Sequence, residues 1–360
     1  MPRLIDRRIA SLVARRVAGR SELDGSYLVE RLGRDLDRAV PLSEELIAQA
    51  SGIPAPPPVR WGVIDRATWT QVNISGMTTL MGPITDKISE RLESLPLPAK
   101  LAQTTLVSTE VGLLLGYVSR RVLGQYDLLV PEQEEEPGPR KSRAAPATPL
   151  YFVGPNIVET ERRFGFVPSD FALWVSLHEV THRFQFEGVV WLRERFLSLV
   201  RSYVDTVDLD ARNLAKRLGG AAGRIMGGEL PADERNPIYL LASDEQRAIL
   251  DEIQALMAVI EGHGNYVMDA VGERVIPSLR RMRGIFDKRR DQMNSVQRVI
   301  SSALGLEMKL RQYELGQHFC ESIAAQAGTE MLAQLWVGPE RLPSMQELRE
   351  PELWLGRVAA

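Results

Sequence analysis

The chain has 360 residues, 44% of them hydrophobic and 25% charged, and 44 basic against 47 acidic residues leave a formal net charge of −3. This is the composition of an ordinary globular protein with ample material for a core, and its near-neutral balance offers no case for a nucleic-acid partner. The lone cysteine, Cys320, rules out an intrachain disulfide, argues against a thiolate-held zinc and fits a reducing cytoplasm.

Residues 4–18 read as a helix with arginines on one side and Leu4, Ile9, Leu12 and Val13 on the other. The early arginines and the lack of a sustained apolar run exclude a secretory signal. Two further helices are expected at 27–39 and 42–50, and then Pro54, Pro56, Pro57 and Pro58 impose an extended connector. Residues 65–93 look helical, with interruptions at Gly76, Gly82 and Pro83. The stretch Leu101 to Ser119 is the most membrane-like in the chain. It carries Glu110 and Gln103, so it reads as a buried core helix and not as a transmembrane segment.

Residues 131–148 hold an acidic block, a basic block and four prolines, the signature of a solvated, flexible loop. They divide the chain into an N-terminal helical region (1–130), packing on the rest, and a catalytic region (149–360). Leu150 to Val158 is the best strand candidate, and an exposed edge there could take an extended peptide by strand addition. Ser169 or Asp170 is a natural cap for the helix that follows. Beyond it, helices are expected at 189–206, 208–218, 244–270, 277–303 and 306–327, with a glycine-rich connector at 219–231 and a tail containing Trp336 and Trp354.

The chemistry lies in the helix LWVSLHEVTHRFQFEG, residues 173–188. His178, Glu179 and His182 form the pattern H-E-x-x-H. Residues four apart share a helix face, so the two imidazoles can meet one zinc ion, and Glu179 can take a proton from a water that the ion activates. Only four histidines occur in the chain, and two fall at this spacing.

A catalytic zinc takes three protein ligands and keeps one position open. The segment VIEGHGNYVMD, residues 259–269, offers Glu261 and His263. These are two apart and point roughly 200° apart on a regular helix. Glu261 is preferred because it continues the apolar face of Met257 and Ile260. His263 is the rival ligand, or a donor to the reaction's oxyanion. Asn265 and Asp269 follow on the same side and are candidates to orient the ligands. Tyr313 is a second oxyanion-donor candidate, whereas His318 and Cys320 in the same helix read as structural, as does Arg183 in the motif helix.

Three stretches, residues 155–196, 259–269 and 309–319, together resemble the zincin-like metallopeptidase family of actinobacteria and green non-sulfur bacteria, some of whose members are labelled as associated with deazaflavin-coenzyme biosynthesis. The resemblance covers most of 150–330. It implies a mainly α (α+β) fold, a multi-helix zincin-like core with a small sheet beside the H-E-x-x-H helix. It also implies zinc on His178 and His182 with Glu179 as the base, and leaves the third ligand open. The expected activity is zinc-dependent hydrolysis of a peptide or protein substrate. The alternatives are a metallohydrolase of small amides or esters, and a non-catalytic helical binding protein with a vestigial zinc site.

Overall fold

The computed structural model describes residues 5–58, 60–80, 96–128, 150–206, 242–291 and 306–359. In chain order the elements are α1 (Arg7–Ala18), α2 (Tyr27–Ala50), β1 (Trp61–Ile64), α3 (Arg66–Leu80), α4 (Leu97–Ser119), β2 (Gly124–Tyr126), β3 (Leu150–Val153), α5 (Gly154–Phe164) and α6 (Pro168–Gly188). They continue with α7 (Leu192–Asp205), α8 (Asp244–Val275), α9 (Leu279–Asp291), α10 (Leu306–Ala327), two 3₁₀ turns (Thr329–Trp336 and Pro339–Arg341), α11 (Met345–Arg349) and α12 (Pro351–Ala359). The fold is mainly α with one small sheet, as the sequence predicts. The expected loop at 131–148, the helix at 208–218 and the glycine-rich stretch at 219–231 lie outside the described residues.

The chain forms two compact units. The first comprises Met1–Ile47, Ala55–Arg183 and Ile276–Ser278; the second comprises Ala48–Pro54, Phe184–Val275 and Leu279–Ala360. The change at Arg183–Phe184 falls inside the uninterrupted helix α6.

In the first unit, β3 is the middle strand of the order β1-β3-β2, parallel to β1 and antiparallel to β2. All four of its residues are buried, which is why it reads as an unbroken apolar run. The strand is shorter than the expected 150–158. Pro155 occupies the first turn of α5, where its missing N–H costs nothing. Asn156 makes that helix start a hub, donating to the carbonyls of Ser119 and Val122 at 2.7 and 2.6 Å and accepting from Arg66 Nε at 2.6 Å. Because β3 is central, a peptide cannot pair with it; the edges belong to β1 and β2. Asp170 sits in the first turn of α6 and accepts from the Ser278 backbone N–H and hydroxyl at 3.1 and 2.6 Å.

Three expectations for the helices are corrected. Residues 27–39 and 42–50 form one helix, α2, with Pro41 inside it. Leu32, Leu36, Ala39, Val40, Ser43 and Ile47 are all buried, a continuous inward stripe whose burial outweighs the roughly 3 kcal/mol that an interior proline costs. Helix α1 buries Ala10, Ala14 and Ala18, and Leu12 is 72% exposed. The cause is its partner. A Cβ built on Gly112 or Gly116 of α4 would lie 2.7 Å from the Ala10 or Ala14 carbonyl oxygen, so the two helices meet backbone to backbone through small residues. For the same reason α4 is not the buried core helix expected. It buries Thr104, Ser108, Gly112 and Gly116, leaving Leu101, Leu106 and Leu113 exposed. No helix among the described residues is long and apolar enough to cross a membrane.

In the second unit, α8 crosses α10 at Gly262 and Gly316. A Cβ on Gly316 would overlap the Ala258 carbonyl oxygen, and one on Gly262 would overlap the Gly316 backbone. Neither obstacle can rotate away. We expect Gly316→Ala to destabilise by about 3 kcal/mol, the upper end of overpacking costs, in urea unfolding. Gly33→Ala, where an added Cβ meets nothing within 4 Å, is the control and should gain roughly 0.5–1 kcal/mol from helix propensity. The C-terminal end is pinned by Trp354, which is fully buried and donates its indole N–H to the Arg341 carbonyl at 2.7 Å.

Candidate metal centre

Helix α6 carries the motif on its inward side. Phe171, Val175, Leu177 and Val180 are buried and fix the helix in the first unit. Polar side chains reinforce it: Ser176 meets Ser43 at 3.0 Å, and the buried Arg183 pairs with Glu44 at 2.6 Å and donates to the Pro57 carbonyl. The His178 ring stacks on Trp174, with centroids 6.4 Å apart and planes 16° from parallel, and Trp174 stacks on Phe171. These rings lie at the i, i+3, i+4 spacing of one helix face, so the aromatic ladder orients the first histidine.

His178 Nε2 and His182 Nε2 face each other at 3.2 Å. Two nitrogens on one tetrahedral zinc, each about 2.0–2.1 Å from it, stand roughly 3.3 Å apart. The observed separation therefore already fits a shared zinc. His178 and His182 lie in the first unit, and Glu261, the expected third ligand, lies in the second. Glu261 is 4% exposed, a depth at which a carboxylate requires a cation or hydrogen-bond donors. Two imidazoles and a carboxylate make a donor set that zinc accepts in catalytic sites.

Gln185 accounts for the position of Glu261. It lies seven residues after His178 and three after His182, on the same face of α6. Its side chain is fully buried, and Nε2 donates to the Ile260 carbonyl at 2.8 Å. The last turn of α6 is thereby fastened to α8 one residue before Glu261. In the sequence, Gln185 reads as a mere extension of the motif helix. The signal available was its i+7 spacing from a ligand, which puts an amide on a face that must be buried.

His263, the rival candidate, is buried within the second unit. It is 1% exposed, its Nδ1 lies 3.3 Å from Gln185 Nε2, and the Trp336 ring meets it edge-on with centroids 4.9 Å apart. Burial lowers its pKa to about 4, partly opposed by a hydrogen bond with the Ser51 backbone, so the ring is neutral at pH 7. A neutral ring accepting from Gln185 at Nδ1 carries its proton on Nε2, which suits donation to Ser51. With its Nδ1 against Gln185 and its ring against Trp336, His263 is placed to hold Gln185.

Asp269 is likewise committed elsewhere. It forms an ion pair with Arg283 and accepts from Gln317 of α10 at 3.1 Å. Asn265 is half-buried one turn beyond Glu261. Tyr313 lies in α10, but its side chain is outside the described residues; His318 is exposed. Cys320 is fully buried, which pushes its thiol pKa up, and it behaves as a small apolar residue.

Glu179 is 6% exposed and points toward the sheet, where Gly124 at the start of β2 lies against its side chain. The helix thus carries two facing imidazoles and, next to His178 in the chain, a buried carboxylate.

The family model of zincin-like metallopeptidases matches residues 5–355. The chain belongs to the zincin-like metallopeptidase family. The resemblance read from 155–196, 259–269 and 309–319 therefore extends through the N-terminal helices to α12. This zincin-like chain is also similar to a crystal structure from Chloroflexus aurantiacus described as "a putative hydrolase with a novel fold". The two share 31% sequence identity over 99% of each chain, with a TM-score of 0.70. None of the curated proteins compared with it matches. The family is named for metallopeptidases and the structural relative is described as a putative hydrolase; the family implies a metal, typically zinc.

Proposed function

We propose that this protein is a zinc-dependent peptidase, with His178, His182 and Glu261 holding the metal and Glu179 acting as general base. The observation that carries the reading is the pair of imidazole nitrogens of His178 and His182 facing each other at 3.2 Å on a helix that also carries the buried Glu179. Zinc held there supplies Lewis acidity, which brings the pKa of water to about 7 and polarises a carbonyl. Glu179 takes the proton of the attacking water as its oxygen bonds to the amide carbon. It then delivers that proton to the leaving nitrogen as the C–N bond breaks, so one carboxylate serves as base and then as acid.

Trp174 and Gln185 hold the machinery in place, the first by stacking on His178 and the second by tying α6 to the carbonyl preceding Glu261. Tyr313, one turn before Gly316 in α10, is the residue we assign to donate to the oxyanion. A peptide substrate is favoured over a small amide by β2, an edge strand in the described sheet and the strand that touches Glu179. An extended chain paired there would lie beside the base. The single buried cysteine supports a cytoplasmic setting.

The test is cleavage of a quenched fluorescent peptide library by zinc-loaded protein. Activity should vanish with 1,10-phenanthroline and return on adding zinc. Cleavage unaffected by the chelator, or none across the library despite full zinc loading, would reject the assignment.

A further inference from the structure

We infer that Gly124 is a positioning residue for the general base: the absence of a side chain at the start of β2 is what lets the Glu179 carboxylate stand where it does. This rests on the reading of Glu179 given above. A Cβ built on Gly124 would lie 2.6 Å from Glu179 Cγ, 2.6 Å from its Oε1 and 2.7 Å from its Cδ. Real Cβ atoms do not approach so closely, so the strand backbone and the carboxylate share a gap that fits only a hydrogen.

Backbone conformation does not demand glycine here. Gly124 is not among the glycines with positive φ, and it pairs in regular antiparallel register with Phe152. Alanine could therefore adopt the same backbone. The requirement is steric and aimed at a single neighbour, and the atoms in the way are the far end of a flexible side chain.

Two consequences separate this role from a structural one. An added methyl group is accommodated by swinging Glu179 aside, so the fold is expected to survive. The displaced carboxylate, however, no longer reaches the water's proton. A misplacement of about 1 Å in a catalytic group costs about 10²-fold in rate. The strand thereby sets the position of the base on the helix, although it contributes no functional side chain.

The experiment is a double-mutant cycle on zinc-loaded protein. Gly124→Ala is expected to lower kcat on the peptide library's best substrate by about 10²-fold while leaving KM and zinc affinity within about twofold, since the three atoms nearest the added Cβ all belong to Glu179. In a Glu179→Asp background, whose carboxylate is drawn back by one methylene, the same substitution should cost less than about twofold. Interaction between neighbours appears as such non-additivity, whereas a role in strand folding would cost the same in both backgrounds.

A crystal structure of Gly124→Ala reads the inference without turnover and should show the Glu179 carboxylate displaced. If it is displaced and wild-type protein hydrolyses nothing, the functional reading fails and the steric coupling stands. If Gly124→Ala keeps wild-type kcat, or Glu179 has not moved, the inference is overturned. Should Gly124→Ala not fold, the double variant with Glu179→Asp decides: folding regained there upholds the coupling, and failure of both variants to fold overturns it.

Discussion

Glu179→Gln is expected to bind zinc like the wild type and to hydrolyse peptides about 10³-fold more slowly, within the range that one general acid–base group contributes. Glutamine keeps the volume of glutamate, so the packing against Gly124 and the burial at 6% exposure are preserved. It loses only the ability to accept a proton. Because Glu179 is not one of the proposed ligands His178, His182 and Glu261, zinc content should not change. Two measurements on one preparation check this: zinc per chain by mass spectrometry and kcat at saturating peptide. Full activity in a zinc-replete Glu179→Gln protein would mean that another group moves the proton.

Glu261→Gln is expected to have the opposite signature, losing zinc first and activity as a consequence. A neutral amide is a poor zinc ligand, and the two remaining imidazoles leave the ion short of the three protein ligands usual in catalytic sites. The loss of affinity should exceed the 10–100-fold typical of removing a group that only orients a ligand. It is readable as stability. A ligand at 100 times its Kd stabilises a fold by about 2.7 kcal/mol, so the zinc-induced rise in Tm expected of the wild-type protein should be absent. His263→Gln provides the contrast. It should keep the zinc-induced rise, although the protein itself is less stable once the buried hydrogen bonds to Gln185 and Ser51 are altered. The reverse pattern, zinc lost with His263→Gln and kept with Glu261→Gln, would transfer the third-ligand role to His263.

The pairing of His178 with His182 was more legible in the sequence than the scaffold that holds it. Helical periodicity makes the H-E-x-x-H pairing a local property, so His178 and His182 could be placed on one face without any tertiary knowledge. Glu261 was reachable because it continues the apolar face of α8, and an inward carboxylate needs a reason. What periodicity cannot report is which neighbour a polar side chain finds. His263 looks like a second functional group in the sequence, yet it is buried against Trp336 and bound to Gln185. Asp269 faces the right way but finds Arg283.

The differences in the scaffold share one physical cause. Hydrophobic pattern marks large apolar residues as inward, and α1 and α4 pack instead through Ala10, Ala14, Gly112 and Gly116. Close backbone approach is a property of pairs of small residues, visible only when both helices are known. Pro41 reads as a break because proline ordinarily is one, and the stripe from Leu32 to Ile47 overrides it. Strands β1 and β2 are four and three residues long, too short for alternation to register. Gly124 belongs to that class: a glycine in a short segment says nothing until the side chain opposite it is known.

The most direct test of the metal centre is anomalous diffraction at the zinc edge from crystals of the zinc-loaded wild-type protein. The expected peak is bonded to the Nε2 atoms of His178 and His182 and to the Glu261 carboxylate, with Glu179 adjacent and not bonded to the ion. A peak that includes His263 in place of Glu261, one bonded to Glu179, or no peak at these residues in zinc-replete crystals would contradict the assignment.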